Sequence, residues 1–324
     1  MTKILITGVS GYIGSCLYKF LRKKFNVIGI DKKKVKLKIK NLKFKQLNIL
    51  NKKKLYDFFK REKKIDIIIH LAGESTIDNI EKKEKYISNN INVTKNILEV
   101  AKIFNINKFI FSSTAAVYKS TNKKLTERSI VQPNNIYGKT KLECEKLIKK
   151  ENLNYSIFRF FNVCSSYYEE KIGEMHSPET HLIPILVNKM LKSRKLKIYG
   201  SNYNTKDGTC IRDYIHIKDL CNAHYLTIKK LKKKKFKEII NLGTGKGFST
   251  FEIVKTVNKI ENNLKYVFST NRFGDSPKLV CSNDKAKKIL NWSPINSKLK
   301  KILLNEIQWQ KYLNLKKIKV KMKY

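Results

Sequence analysis

Short apolar runs alternate with longer amphipathic stretches through the first half of the chain. Apolar runs of this length predict strands at 3–7, 27–30, 43–49, 66–70, 108–112 and 156–161. The stretches between them have helical spacing of apolar residues and predict helices at 12–24, 52–62, 82–105 and 137–151. Strands and helices in alternation predict an α/β fold, a Rossmann-type doubly wound parallel sheet.

The alternation loosens after about residue 162, where loops, short helices and isolated strands follow. We therefore expect the doubly wound domain to occupy residues 1–162. Residues 163–324 are expected to form a smaller, mixed α/β lobe that holds the substrate and returns some segments to the first domain. No repeat or low-complexity linker separates the two parts.

Three glycines directly follow the first predicted strand. Gly8, Gly11 and Gly14 stand between that strand and the first predicted helix. Glycine lets the backbone approach a pyrophosphate, which then lies on the exposed amides and positive dipole end of the helix. A strand, a glycine turn and a helix in this order predict a dinucleotide-binding site.

Asp31 follows the second predicted strand and bears on the choice of dinucleotide. A carboxylate there accepts hydrogen bonds from an adenosine ribose and repels a 2′-phosphate, which favours NAD over NADP. Three lysines, Lys32, Lys33 and Lys34, act in the opposite direction because a cation can hold a phosphate. We expect NAD.

The chain carries 70 Lys and Arg against 26 Asp and Glu, a formal net charge of +44. Such a surplus raises the question of a nucleic-acid or anionic-membrane partner. The lysines, however, lie in nearly every segment, and abundant Asn, Ile, Phe and Tyr beside 13 Gly and 5 Pro are typical of an AT-rich coding sequence. We expect weak nonspecific nucleic-acid binding at low salt and no specific nucleic-acid partner.

With 324 residues, 41% of them hydrophobic, the chain is long enough for one large core or two lobes. No window has the character of a membrane span or a signal peptide. The six cysteines show no CxxC pattern, and the five histidines show no metal-binding spacing. We expect a cytoplasmic protein with free thiols, no membrane partner and no metal.

Tyr137 and Lys141 lie one helical turn apart on one face of a predicted helix. The ammonium group of Lys141 is expected to stabilise a phenolate on Tyr137 and to lower its pKa, so that the phenol exchanges protons with an alcohol. The preceding strand ends in hydroxyls, at Ser112 to Thr114. A hydroxyl, a phenol and an ammonium group therefore converge on one substrate carbinol.

Further motifs accompany this pair. They are His-Leu-Ala-Gly at 70–73, Asn-Asn-Ile-Asn at 89–92, Arg-Phe-Phe-Asn at 159–162, Ser-Pro-Glu-Thr-His-Leu-Ile-Pro at 177–184, Asp-Gly-Thr-Cys-Ile-Arg-Asp-Tyr-Ile-His at 207–216, Asn-Leu-Gly-Thr-Gly at 241–245 and Arg-Phe-Gly-Asp at 272–275. With these motifs the chain resembles, over nearly its whole length, the NAD-dependent epimerases of the extended short-chain dehydrogenase/reductase family.

The resemblance implies a role for three sets of residues. The implied catalytic group is Tyr137, Lys141 and Thr114. The residues implied to hold NAD are Gly8, Gly11, Tyr12, Ile13, Gly14, Asp31, Asn48, Ile49, Leu71, Ala72, Gly73, Asn89, Tyr137 and Lys141. The residues implied to hold a UDP-hexose are Asn162, His181, Leu182, Tyr199, Arg212, Arg272, Asp275 and Leu279. Two guanidinium groups suit a diphosphate, because each offers a planar fork of donors.

The resemblance also implies the reaction, the interconversion of UDP-galactose and UDP-glucose. Tyr137 takes the proton of the sugar 4-hydroxyl, C4 gives a hydride to NAD, and the 4-ketose turns its other face before the hydride returns. Relatives that form homodimers pair helices equivalent to 82–105 and 137–151 across a two-fold axis, so a homodimer is expected.

Some positions depart from the family pattern. Asn48 replaces a common Asp near the adenine and keeps an acceptor oxygen, and the stretch 74–85 matches poorly. Leu279 replaces a tyrosine that some members carry near the hexose, which leaves room for UDP-N-acetylhexosamines as alternative substrates.

Other functions stay open as alternatives. A UDP-glucuronate epimerase shares the fold and cofactor. A 4,6-dehydratase is disfavoured, because Ala115 and Ala116 stand where dehydratases carry acids. A non-catalytic NAD-sensing or nucleic-acid-binding protein is disfavoured because it has no need of the Tyr137 and Lys141 pair.

Overall fold

A computed structural model of the chain describes residues 1–35, 39, 41–74, 83–233, 235–261, 264–271, 275–318 and 320. The strands are β1 Lys3–Thr7, β2 Asn26–Asp31, β3 Phe44–Gln46, β4 Ile67–His70, β5 Lys108–Thr114, β6 Asn154–Phe160, β7 Asn162–Cys164, β8 Leu196–Tyr199, β9 Ile211–His216, β10 Lys237–Leu242, β11 Gly247–Ser249, β12 Tyr266–Ser269 and β13 Lys278–Leu279. The helices are α1 Tyr12–Leu21, α2 Lys52–Glu62, α3 Lys83–Tyr86, α4 Val93–Ile103, α5 Ile136–Lys150, α6 Leu182–Leu191, α7 Ile217–Lys233, α8 Thr250–Ile260, α9 Asp284–Leu290 and α10 Leu299–Leu315.

The chain divides into two compact units. The first contains Met1–Lys119, Ile130–Phe160 and Cys221–Ile240, and the second contains Ser120–Ser129, Phe161–Leu220 and Asn241–Tyr324. The change of unit after Phe160 lies close to the boundary predicted at residue 162. A short segment before it belongs to the second unit, and a longer one after it belongs to the first.

A seven-stranded sheet forms the centre of the first unit, in the order β10-β6-β5-β4-β1-β2-β3. Pairing is parallel from β6 through to β3. The central strands are continuous apolar runs because helices cover both faces of such a sheet. Leu5, for example, is fully buried and lies in register with Ile28 on one side and Ile68 on the other. The predicted doubly wound sheet is confirmed.

Most predicted element bounds agree closely with the structure, and three do not. Helix α1 ends at Leu21 rather than at residue 24. Strand β3 ends at Gln46 rather than at residue 49, because the Asn48 side chain accepts a hydrogen bond from Leu50 N over 3.1 Å and starts a turn. Asn51 then caps α2. The helix predicted at 82–105 is divided, in its described part, into α3, a π-helical segment Ile87–Asn92 and α4.

The second unit is a mixed α/β lobe, as predicted. Strand β9 lies at the centre of its larger sheet, antiparallel to β11 and parallel to β7 and β13. A second, two-stranded sheet joins β8 and β12. Helix α10 packs against α6 and α8 over an apolar core. Within the described part of the chain, no helix combines the length and apolar character needed to cross a membrane.

Candidate functional site

The turn after β1 brings the backbone so close to itself that only glycine fits. Gly11 N donates a hydrogen bond to the Gly8 carbonyl oxygen over 3.1 Å, just before α1 begins. A Cβ atom on Gly14 would lie 2.2 Å from that same oxygen. The first turn of α1, which is fully described, carries no acidic side chain and no side-chain cap. Its amides and positive dipole end therefore fit a pyrophosphate.

Asp31 ends β2 beside the glycine turn. Its Oδ2 accepts a hydrogen bond from Ser10 N over 3.2 Å, and its Oδ1 accepts one from Lys33 N over 2.9 Å. The carboxylate is thus fixed where nucleotide-binding sheets hold an adenosine ribose. The Lys32 ammonium donates to Asn89 Oδ1 over 2.8 Å, so this lysine is directed at another predicted cofactor residue.

The other predicted cofactor residues lie in the same unit, near the carboxyl ends of β1, β3 and β4. They are Tyr12 and Ile13 in the first turn of α1, Asn48 and Ile49 between β3 and α2, and Leu71, Ala72 and Gly73 directly after β4. Thr7 holds the last group in place, since its hydroxyl accepts a hydrogen bond from Ala72 N over 3.1 Å. Together with the glycine turn, this arrangement fits a dinucleotide such as NAD.

Tyr137 and Thr114 meet because α5 starts very close to the end of β5. Asn135 caps α5 by accepting a hydrogen bond from Gly138 N over 2.8 Å. A Cβ atom on Gly138 would lie 2.3 Å from the Ala116 carbonyl oxygen, so glycine is needed for this approach. The first turn of α5 thereby places the Tyr137 phenol near the Thr114 hydroxyl, close enough for this hydroxyl to lower the pKa of the phenol. The structure brings this predicted pair together.

Lys141 lies one turn further along α5 and is almost fully buried, at 5% exposure. Its ammonium nitrogen is 4.7 Å from the centre of the Phe111 ring. A Cβ atom on Gly73 would lie 3.6 Å from the same nitrogen, so the cation reaches the turn after β4. Burial lowers the pKa of Lys141 to about 8, which leaves the group largely charged at neutral pH.

The prediction of a low pKa for Tyr137 is wrong when only the residues of this chain act on the phenol. Burial raises the pKa of Tyr137 to about 12, and the nearby Tyr86 phenol acts in the same direction. The Thr114 hydroxyl lowers it, but by less than burial raises it. Desolvation of the phenolate therefore outweighs the stabilisation that the sequence suggested.

A buried ion pair behind this group was not predicted. Arg159 Nε lies 3.0 Å from Glu145 Oε1, and Arg159 Nη2 lies 2.7 Å from Glu145 Oε2. Ser113, next to Thr114, donates to Glu145 Oε1 over 2.5 Å. The three side chains link β5, β6 and α5 next to the predicted catalytic residues. The available signal was the position of Glu145, one helical turn after Lys141 on the same face.

Asn90, in the π-helical segment, is a second residue that the sequence did not single out. Its Oδ1 accepts a hydrogen bond from Glu74 N over 2.7 Å, and its Nδ2 donates to Thr140 Oγ1 over 3.0 Å. The side chain is 1% exposed. It links the loop after β4 to α5, and both of these segments carry predicted cofactor residues. The predicted neighbour Asn89 is half-buried and accepts a hydrogen bond from Lys32 instead.

The second unit places three of the predicted substrate residues side by side. Arg212 on β9 donates to the Ser276 carbonyl oxygen over 2.6 Å, and its Nη2 lies 3.5 Å from Asp275 Oδ1. Leu279 on β13 is the register neighbour of Arg212. Arg272, predicted as the second guanidinium, lies outside the described residues.

The remaining substrate residues lie on other elements of this unit. Asn162, on β7, has a buried Nδ2 with no hydrogen-bond acceptor among the described residues, which suits a ligand carbonyl or phosphate oxygen. His181 precedes α6 and Leu182 begins it, so both lie at a helix N-terminus. The ring of His181 is hydrogen-bonded to the Glu174 carboxylate. Tyr199 ends β8 and is half-buried.

Comparison with known proteins gives concordant matches. A model of the NAD dependent epimerase/dehydratase family matches residues 4–243. A UDP-glucose 4-epimerase of Lactobacillus helveticus is 35% identical over 324 residues, covering 95% of this chain and 97% of the relative. A solved UDP-glucose 4-epimerase structure, 38% identical, has a TM-score of 0.91 and covers 97% of this chain and 98% of its own. A Bifidobacterium longum UDP-glucose 4-epimerase solved in complex with NAD+ and UDP, 27% identical, has a TM-score of 0.86, with coverage of 96% and 98%.

Proposed function

Because the chain belongs to the NAD dependent epimerase/dehydratase family, we infer that it interconverts UDP-galactose and UDP-glucose with bound NAD. The observation that carries this conclusion is the Thr114 and Tyr137 hydroxyl pair, set one turn before the buried Lys141 cation. The glycine turn and Asp31 lie in the same unit. A dinucleotide site and a proton-transfer group in one unit are what inversion of a carbinol centre requires.

Residues of this chain accept and return the proton that is transferred in the reaction. We propose that Tyr137 accepts the proton of the sugar 4-hydroxyl through its phenolate form, while Thr114 hydrogen-bonds the phenol oxygen. Lys141 supplies the positive charge that favours the phenolate. Bound NAD supplies a hydride acceptor and a positively charged ring whose field also favours the phenolate. Tyr137 returns the proton once the 4-ketose has presented its other face.

The second unit is proposed to hold the nucleotide part of the substrate. Arg212 is fixed by Asp275 and Ser276, which leaves the rest of its guanidinium to a diphosphate oxygen. The unsatisfied amide of Asn162 and the N-terminus of α6 at Leu182 are further donors for an anionic ligand. Binding energy concentrated on UDP leaves the hexose able to rotate without release.

The test is incubation of the purified protein with UDP-galactose, without added NAD, followed by separation of the sugar nucleotides. We expect conversion to UDP-glucose, and a loss of about 10³-fold in Tyr137→Phe, since a proton-transfer group contributes on that order. Tyr56→Phe, at a half-exposed tyrosine of α2, is the matched control and keeps full activity. Full activity in Tyr137→Phe would refute the assigned role.

UDP-N-acetylhexosamines are a second proposed substrate class, and Leu279 is the observation that favours it. This half-buried leucine lies beside Arg212 and leaves space that a tyrosine would fill. We predict that Leu279→Tyr lowers kcat/KM for UDP-N-acetylglucosamine by about tenfold or more and leaves kcat/KM for UDP-glucose nearly unchanged. A steric clash with the N-acetyl group in the pocket is expected to cost a few kcal/mol. No turnover of the N-acetylated sugar by the unmodified protein at high concentration would refute the proposal.

We further propose a cytoplasmic homodimer that pairs through the α3–α4 and α5 region. The six cysteines are buried free thiols, which suits a reducing compartment. Light scattering on a size-exclusion column at micromolar concentration is expected to give twice the mass of one chain. A mass equal to that of one chain would contradict the proposed dimer but would not affect the catalytic assignment.

A further inference from the structure

Two histidines and two glutamates converge in the segment before α6. One donor atom from each of Glu174, His176, Glu179 and His181 lies within 4.8 Å of all the others. His176 Nδ1 is 2.7 Å from Glu174 Oε1 and 3.9 Å from Glu179 Oε1. His181 Nδ1 is 3.5 Å from Glu179 Oε1 and also bonds Glu174. All four residues belong to the second unit.

One carboxylate oxygen in this cluster has no hydrogen-bond donor among the described residues. The Glu174 side chain is fully enclosed, with 0% exposure, and its Oε2 meets no hydrogen-bond donor anywhere in the described ranges. A buried carboxylate oxygen without a partner is strongly unfavourable. A cation bound by the Glu174 carboxylate, with a small rotation that brings Oε2 to the ion, would satisfy it.

No lysine or arginine among the described residues forms an ion pair with Glu174 or Glu179, although the chain has 70 residues of these two types. In the described part of the chain, the ion-pair partners of Glu174 and Glu179 are His176 and His181. A third carboxylate, Glu306 of α10, is buried within electrostatic range of both glutamates. Burial raises the pKa of Glu306 to about 8, so this third carboxyl group is largely protonated at neutral pH and adds little negative charge to the cluster.

We propose that Glu174, His176, Glu179 and His181 bind a divalent transition-metal ion, with Zn²⁺ best suited to the site. Two imidazole nitrogens and two carboxylate oxygens form a four-donor set that this ion favours, and all four ligands come from the protein, as in structural sites. The ion displaces the protons that the histidines now share with Glu174.

The geometry needs little change to accept the ion. Tetrahedral ligands at zinc bond lengths are about 3.3 Å apart, close to the 3.5 Å and 3.9 Å between the histidine nitrogens and Glu179 Oε1. The Glu174 Oε1 atom lies too close to the two rings for this geometry, so it must move away from them or give way to Oε2. The His176 and His181 side chains are 33% and 51% exposed, so the ion can enter from solvent.

The proposed metal site lies in the second unit, whereas Tyr137 lies in the first, and its ligand His181 is also one of the residues implied to hold the UDP-hexose. It closes residues 174–181 into one loop directly before α6. The expectation of no metal rested on the absence of a CxxC pattern and of metal-binding spacing among the histidines. His176 and His181 are five residues apart on non-helical backbone, and the glutamates that complete the set carry no signal in a histidine pattern.

The experiment is a zinc titration of the full chain. Protein stripped with a chelator is titrated with ZnCl₂ against a chromophoric competitor, and its melting temperature is followed. We expect one ion per chain and a rise in melting temperature. His176→Asn and Glu179→Gln should each weaken binding by about 100-fold or more, since even loss of an outer partner of a metal ligand weakens binding by 10- to 100-fold.

The matched control is Glu169→Gln, which removes a nearby exposed glutamate that pairs with Lys218. It should bind zinc as the unmodified protein does. Circular dichroism shows whether each variant is folded, and Co²⁺ substitution of the unmodified protein gives a second readout that needs no variant. Weak visible bands without thiolate charge transfer support the proposal. Thiolate charge transfer, failure to bind one ion, or unchanged binding in His176→Asn would overturn it.

Discussion

The Tyr137 phenol, taken alone, is in the wrong protonation state for a base. Its environment raises its pKa to about 12, whereas Lys141 retains its charge up to about pH 8. The residues at this site therefore provide position and a hydrogen bond, and the remaining stabilisation of the phenolate must arise once the ligands are bound. A phenolate that is stabilised only after the ligands bind suits an enzyme that should remove a proton only when substrate and cofactor are both bound.

The Thr114 hydroxyl is predicted to contribute through its hydrogen bond to Tyr137. Thr114→Val keeps the shape and removes the hydroxyl, so we expect kcat to fall about tenfold, the value of one hydrogen bond, with little change in KM. Thr114→Ser keeps the hydroxyl and is expected to retain most of the activity. Steady-state kinetics on UDP-galactose measures both. Equal rates in the valine and serine variants would show that the hydroxyl plays no part.

At the scale of elements, the site depends on interruptions of regular structure. Helix α5 begins against the end of β5 because of Gly138, and the π-helical segment directs Asn90 inward against the loop after β4. A π segment inside a helix often marks a functional site, because it turns one side chain out of the regular pattern. Hydrophobic periodicity does not reveal such a change, which explains why one unbroken helix was predicted at 82–105.

His70, at the end of β4, provides a prediction on pH and stability. It contacts Thr7 Oγ1 over 2.7 Å and Thr94 Oγ1 over 3.1 Å, and burial, reinforced by the Lys141 charge, lowers its pKa to about 3. The unfolded imidazole, with a pKa of 6.5, takes up a proton first as the pH falls, so the contribution of His70 to stability is complete above pH 6.5 and is lost below it. At pH 5 the loss is about 2 kcal/mol.

Urea unfolding of the unmodified protein and His70→Gln at pH 7.5 and pH 5 tests this. The glutamine variant is expected to be less stable at pH 7.5 but to lose about 2 kcal/mol less between the two pH values. The other histidines are the same in both proteins, so their titration cancels in the comparison. An identical loss in the two proteins would contradict the assignment.

The sequence was sufficient to predict the backbone elements that carry the site, but not the long-range side-chain contacts and pKa values within it. Strand β1, the glycine turn, α2 and the Tyr137 and Lys141 pair follow from local patterns, because backbone geometry and periodicity are properties of short segments. The Glu145 and Arg159 pair and the Glu174 cluster depend on residues that only the tertiary fold brings together. The pKa of Tyr137 depends on burial, which residue spacing does not report.

At the scale of the whole molecule, the net charge of +44 is the feature that no site explains. Many of the ion pairs are exposed, such as that of Lys52 with Glu99, and exposed pairs contribute little to the free energy of folding. Self-repulsion is therefore expected to weaken the fold at low ionic strength. We predict that raising NaCl from about 0.05 M to 0.5 M stabilises the protein by about 1 kcal/mol or more, because the Debye length shortens.

Thermal unfolding over a NaCl series measures this effect, and a parallel series in KCl controls for the identity of the cation. Both salts should stabilise equally, with a gain that levels off as screening becomes complete. A melting temperature independent of salt would show that the dispersed lysines do not repel one another enough to matter.

The central claim is that C4 of the sugar is inverted by a hydride that never exchanges with solvent. The most direct measurement is epimerisation of UDP-galactose deuterated at C4, in ordinary water, with mass and NMR analysis of the UDP-glucose formed. We predict that the product retains the deuterium at C4, because the same hydride leaves and returns. Loss of the label to solvent would contradict the mechanism and point to proton abstraction at carbon instead.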